Sequence, residues 1–253
     1  MRVKIIIGLF VCLCFSLTLF PQEAEDLIAQ ADELYNQMSD MATAQAALEK
    51  YRAALLKAEN KYDAYWKIAR ILYFIGAHTE NNKEKKNVFS QGIYNAKKAV
   101  ALEPEKPDGY YWLGVNYGVY GEARGVLKSL FLVDDIKEAM NKVIEIDRSY
   151  EDGGPDRVMG RVYFKLPGFA GGDKKKSLEH LLKSIEYGPE DALTRVYLAD
   201  TLLSQDEAEK AREELEYVLN MEDDSLWILD IDRSKKEAEE LLKDKKFREK
   251  KKK

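Results

Sequence analysis

The sequence predicts an all-α solenoid of about five helix pairs, with enlarged turns inside the pairs and a capping helix at the C-terminal end. Three observations predict it. About a third of the 253 residues are charged, with only 6 prolines and 15 glycines, a mixture that suits long helices. One pattern of small and large residues can be laid along the chain five times. Strand-like alternation broken by hairpin turns is absent.

The pattern is clearest in the middle of the chain. Tyr110-x-x-Leu113-Gly114-x-x-Tyr117 fits the first helix of a tetratricopeptide (TPR) repeat, and Gly92-x-x-x-Ala96-x-x-Ala99 before Pro104 fits a second helix. A small residue lets two helices approach closely, and larger neighbours fill the gaps. The small first-helix position falls at Ala31, Ala69, Gly114, Gly160 and Ala199. Its second-helix counterpart falls at Ala47, Gly92, Ile136, Ser177 and Ala211, followed four residues on by Tyr51, Ala96, Met140, Leu181 and Leu215. Between the two helices of each pair the spacings are 16, 23, 22, 17 and 12, whereas between pairs they are 22, 22, 24 and 22. The extra length therefore sits in the turns inside the pairs, on one edge of the solenoid. The longest insertions are expected from Ala77 to about Lys86 and from Glu122 to Val133, the latter holding a short extra helix.

Helix starts are expected at two capping boxes. Ser204-Gln-Asp-Glu207 would open the second helix of repeat five, and Ser234-Lys-Lys-Glu237 a final helix from Ala238 to Leu242. Leu166-Pro-Gly-Phe-Ala-Gly-Gly-Asp173, with lysines after it, superficially resembles a phosphate loop. The spacing is wrong: Asp173 stands where the second glycine is needed, and no Ser or Thr follows Lys174. It reads as the turn of repeat four, with Asp173 capping the next helix.

Three segments follow. Residues 1–22 are expected to be a signal peptide or signal anchor: Arg2 and Lys4 precede an apolar run from Ile5 to Phe20. Residues 23–242 form the TPR-like helical domain, and residues 243–253 a basic tail. The tail reads as a soluble end, with attraction to acidic lipid headgroups as its functional reading. Both cysteines, Cys12 and Cys14, lie in the first segment without the small preceding residue that lipidation needs, so a lipoprotein anchor is not expected and the domain has no thiol chemistry. The net charge of -5 gives no reason to expect nucleic acid. His78 and His180 are too far apart to suggest a metal or a triad and read as solvated surface residues. Asp230-Ile-Asp232-Arg-Ser234 lacks the glycine and final glutamate of a calcium loop. No catalytic residue, metal or cofactor is expected.

First helices line the concave face of such solenoids. One residue past the packing positions, that face should carry Tyr35, Trp66, Arg70, Tyr73, Tyr111, Val115, Arg157, Arg161 and Phe164. Arg157 and Arg161 are four apart, on one helical face. Aromatic walls with guanidinium groups suit an apolar molecule carrying a carboxylate, or a peptide or protein partner.

Tyr110-Tyr-Trp-Leu-Gly-Val-Asn-Tyr-Gly118, Gly153-Gly-Pro-Asp-Arg-Val-Met-Gly160 and Leu166 to Asp173 resemble the T-component of TRAP transporters (TatT-like proteins) over roughly Ala24 to Glu222. The resemblance implies a periplasmic, non-enzymatic homotrimer. It further implies a TRAP-type solute-binding protein as partner and a hydrophobic ligand pocket through the helical layer; the concave arginines and aromatics suit a small organic acid there, and membrane contact is expected only through an uncleaved signal or the basic tail. Microtubule-dynamics regulator proteins share part of the pattern, and the export-type N-terminus favours the TRAP resemblance over them. A generic exported scaffold that binds a peptide or protein in its groove is the alternative.

Overall fold

The computed structural model describes residues 19–125, 129–222 and 228–249, and within them the ordered elements are helical. The first pair is α1 (Leu19–Asn36) and α2 (Met41–Lys57), the second α3 (Tyr62–Ala77) and α4 (Asn82–Leu102). Next come α5 (Pro107–Arg124) with α6 (Val133–Ile146), α7 (Tyr150–Lys165) with α8 (Lys174–Tyr187), and α9 (Ala192–Ser204) with α10 (Ala208–Leu219). Helix α11 (Ile228–Leu241) packs on α9 and α10 as the expected cap, and the one-turn α12 (Lys246–Glu249) follows. From α1 to α11 each helix lies against its chain neighbours, and α12 lies against α10, so the fold is the TPR-like solenoid that the pattern predicts. The predicted signal at residues 1–22 lies mostly outside the described residues.

The expected packing positions are buried. Ala31, Ala69, Ala47, Tyr51, Ala96, Met140, Leu181, Ala211 and Leu215 are wholly inaccessible, and so is Ser177. The glycines among them are steric requirements. A Cβ on Gly114 would lie 2.4 Å from Met140 Cε, and one on Gly160 would lie 2.6 Å from Leu181 Cγ. Gly92 makes room for Asn116, a fully buried amide that donates to the Ala69 and Trp112 carbonyls at 3.1 and 2.8 Å. That cross-repeat hydrogen bond has no sequence signal, because its acceptor is backbone.

Three turn expectations need correction. The insertion from Ala77 to Lys86 is a short turn, His78 to Asn81, followed by extra helix: the Asn81 side chain caps α4 by accepting from Lys83 and Glu84 amides. Ser204 does not open a helix. It ends α9, its hydroxyl donating to the Thr201 carbonyl. Ser234 lies inside α11 and is 1% exposed, because that helix already runs from Ile228. By contrast Asp173 caps α8 as expected, accepting from Lys175 and Lys176, and Gly171 turns the chain at φ +86°. Among the described residues, the insertion of repeat three holds a 3-10 turn at Leu130–Leu132 directly before α6, and residues 126–128 lie outside the described residues.

The entry to α7 is unusual. Glu151, Asp152 and Gly153 are consecutively left-handed, at φ 49°, 55° and 75°. Two non-glycine residues in that region are each unfavourable by about 1–2 kcal/mol. Packing imposes the bend. A Cβ on Gly154 would lie 2.6 Å from the Tyr111 ring, one on Gly188 2.6 Å from the Asp152 carbonyl oxygen, and one on Gly153 2.9 Å from Ser184 backbone. Pro155 then starts the regular part of the helix, where a missing N–H is harmless.

Candidate functional site

The first helices face inward around a cavity of about 940 Å³, and α11 leans in from the far end. Of the residues expected on the concave face, Tyr35, Arg70, Tyr73, Tyr111, Val115, Arg157 and Arg161 line it. Trp66 and Phe164 stand outside its lining. Trp66 donates its indole N–H to Asp63 and lies 4.9 Å from the Arg70 guanidinium carbon. Phe164 lies between Arg161 and Lys174, at 5.3 and 3.4 Å. Both buttress cavity arginines from the side.

The left-handed turn sets the central contacts. It brings α7 down on α5 so that Arg157 donates one guanidinium nitrogen to the Tyr111 hydroxyl at 2.8 Å and the other to Asp191 at 3.0 Å. Asp191 caps α9 through the Thr194 amide, so the Arg157 guanidinium ties α7 to both α5 and α9. One turn along, Arg161 pairs with Asp200 at 2.8 Å and stacks over Tyr197 at 4.2 Å. Arg70 lies 3.6 Å over the Tyr35 ring, donates to the Tyr51 hydroxyl at 3.2 Å and sits 3.5 Å from Asp32. From α11, Arg233 reaches the Tyr73 hydroxyl at 3.3 Å.

Burial dominates the ionisation of these groups. It pushes the Tyr111 hydroxyl well above its ordinary value, against the pull of Arg157. It also opposes the charge of Arg157, but Asp191 and Tyr111 outweigh it and hold the guanidinium firmly protonated. Glu151 is open to solvent on the cavity side yet ringed by protein. Burial raises its carboxyl, with Arg70 and Arg157 pulling the other way.

Two consequences follow. The arginines are matched by aspartates, so the cavity offers less net positive charge than a list of its guanidinium groups suggests. It nevertheless holds unpartnered donors: Arg70 Nε, Arg161 Nε and Trp112 Nε1 are buried without acceptors, and Trp112 as a whole is 5% exposed. Buried donors of this kind are each unfavourable by about 1–3 kcal/mol until an acceptor reaches them. The rest of the wall is largely apolar, with Val115, Val119, Val158, Val162 and Ile136. Sequence reasoning missed Trp112, Glu151, Tyr197 and Arg233. Trp112 stands beside a predicted residue at a position that the repeat pattern leaves unspecified, and Arg233 comes from a helix whose placement the repeat pattern does not specify.

Neither histidine is a solvated surface residue. His78 stacks on Phe74 with ring centres 4.2 Å apart and its Nδ1 lies 2.9 Å from the Phe74 carbonyl oxygen. His180 stacks on Tyr163 and its Nδ1 lies 2.7 Å from Asp156, a wholly buried carboxylate that also takes two hydrogen bonds from Arg148. Burial alone would raise Asp156, but His180 and Arg148 together outweigh it and hold the carboxyl below its ordinary value.

Comparison with known proteins points to one family. The chain matches the family of regulator of microtubule dynamics proteins 1-3 over residues 27–152. It is 24% identical over 184 residues to regulator of microtubule dynamics protein 3 of Rattus norvegicus, covering 72% of this chain and 38% of the rat protein. The chain thus spans well under half the length of that relative. Among solved structures it is similar to a thermophilic TPR protein of Thermus thermophilus, with a TM-score of 0.64 and 18% identity over 87% of this chain and 99% of that one. Yeast Tom70 aligns with a TM-score of 0.34 and 14% identity, over 91% of this chain and 61% of that one.

These matches overturn the resemblance to TRAP transporter T-components. The motifs behind it mark close helix approach, since Gly114 and Gly160 are where Met140 and Leu181 enter. Any tight TPR-like solenoid needs that. The TRAP-type solute-binding partner has no support once the resemblance is gone. The periplasmic placement is also overturned: the matched family includes a rat protein, and an animal cell has no periplasm. Among the described residues, no helix is long and apolar enough to cross a membrane.

Proposed function

We propose that the chain is a non-enzymatic scaffold of the regulator of microtubule dynamics type, which holds a segment of a partner protein in its concave cavity. The observation that carries this reading is the set of unpartnered donors, Trp112 Nε1, Arg70 Nε and Arg161 Nε, in a cavity wall that also holds valines and aromatic rings. A peptide supplies what they lack. Its carbonyl oxygens are neutral acceptors, and its side chains fill the apolar space between Val115 and Val162. A free carboxylate suits the site less well, because Asp191 and Asp200 already balance Arg157 and Arg161. The matched family and the TPR-like fold support protein binding over turnover.

The test is microtubule growth and catastrophe frequency, measured with the full chain added to purified tubulin and to cell extract. Wild type should change one of these rates, and Arg161→Ala, with its fold verified by melting, should lose most of the effect. No change by wild type in either setting would sink the reading.

A further inference from the structure

Glu151 lines the cavity from the left-handed bend at the entry to α7, at φ 49° and ψ 49°. Among the described residues, no ion pair or hydrogen bond reaches its carboxylate. Arg70 and Arg157 attract it, but both are engaged elsewhere: Arg157 donates to Tyr111 and Asp191, and Arg70 to Tyr51 and Asp32.

The surplus charge of the cavity is therefore acidic. Arg70, Arg157, Arg161 and Arg233 are paired with Asp32, Asp191, Asp200 and Glu237. Of the lining groups left without an ion pair among the described residues, Glu122, Glu151, Asp152 and Glu190 are acidic, and Lys165 is basic. A second, independent feature points to the same occupant. Trp112 lines the cavity at 5% exposure, and its buried indole N–H has no acceptor. Tyr111 links the two positions. Its ring lies edge-on to Trp112 with centres 4.9 Å apart, and 2.6 Å from where a Cβ on Gly154 would sit, three residues from Glu151.

We propose, building on the partner-segment reading above, that the segment held in the cavity carries a lysine or arginine whose charged head pairs with Glu151 while its backbone carbonyls take the Trp112 indole N–H. The long stem of such a side chain is apolar and packs along Val115 and Val119, with only its tip needing a charge partner. Burial raises the Glu151 carboxyl, and an incoming cation offsets that effect by favouring the charged form. A small polyamine would supply the charge but no acceptor for Trp112. An acidic segment would meet unpaired carboxylates.

A phage-displayed library of random nonapeptides, selected on the full chain, tests this. Peptides enriched by the wild type should share a lysine or arginine at one position, flanked by apolar residues. The synthetic peptide should bind about tenfold or more tighter than the same peptide with norleucine at that position. Glu151→Gln, with melting unchanged, should shrink that preference to about twofold or less. Enrichment of apolar peptides without a basic residue, or a preference that persists in Glu151→Gln, would overturn the inference and leave the partner-segment reading standing. No enrichment by the wild type would overturn both.

Discussion

The Arg157 guanidinium on α7 and the Tyr111 hydroxyl on α5 meet at 2.8 Å across the concave cavity, and Asp191 completes the contact from α9. Three repeats are joined at one point. Arg157→Ala would leave the Asp191 carboxylate with the Thr194 amide but without its charged partner. The loss should be about 2–4 kcal/mol by denaturant unfolding, and Tyr111→Phe should lose only about 1 kcal/mol. If the two variants were equally stable, the ion pair would contribute nothing and the hydroxyl contact would be incidental.

Trp112→Phe separates binding from folding. The indole N–H has no acceptor within the protein, so removing it relieves an unsatisfied donor and should leave stability unchanged or slightly raised. Partner binding should weaken by about 1–2 kcal/mol, read by calorimetry once a binding segment is in hand. A clear loss of stability would mean that the N–H is satisfied in solution.

Gly160→Leu tests the repeat register. Its Cβ would lie 2.6 Å from Leu181 Cγ and 3.2 Å from the Ser177 carbonyl oxygen, so α7 and α8 must part. A loss of about 1–3 kcal/mol or more is expected in thermal melting.

Gly153→Ala tests the left-handed entry to α7. The residue sits at φ +75°, and its Cβ would lie 2.9 Å from Ser184 backbone atoms. Strain and clash together should lower stability by about 2 kcal/mol or more, in contrast to Gly168→Ala, which meets nothing within 4 Å.

Asp156 predicts an acid limb. Its folded carboxyl titrates below the ordinary value of 3.8. The stability it contributes is therefore complete above that value and drains away as pH falls through the lower, folded one. Melting temperature should fall steeply below about pH 4. Asp156→Asn should lower stability at neutral pH by about 2–3 kcal/mol and flatten that limb. An unchanged limb would assign acid sensitivity to other carboxylates.

Residue order alone settles the helical class, the five-fold register and the edge that carries the long turns. Those depend on residue size at fixed spacing: Ala31, Gly160 and Leu181 are buried because no other sizes let the helices close. The same order places Asp173 as a cap and puts Arg157 and Arg161 on one face. What those arginines meet depends on the folded chain. Asp191 and Asp200 are 34 and 39 residues away, and no local pattern encodes a pairing across repeats. The same holds for the capping boxes, where Ser204 bonds back to the Thr201 carbonyl at the end of α9 and Ser234 is buried inside α11, and for the left-handed run at Glu151, which Tyr111, Ser184 and Gly188 impose from three directions. Spacing along a helix is a local property and survives in the sequence, whereas the charge balance of a cavity is set by which helices come to face each other.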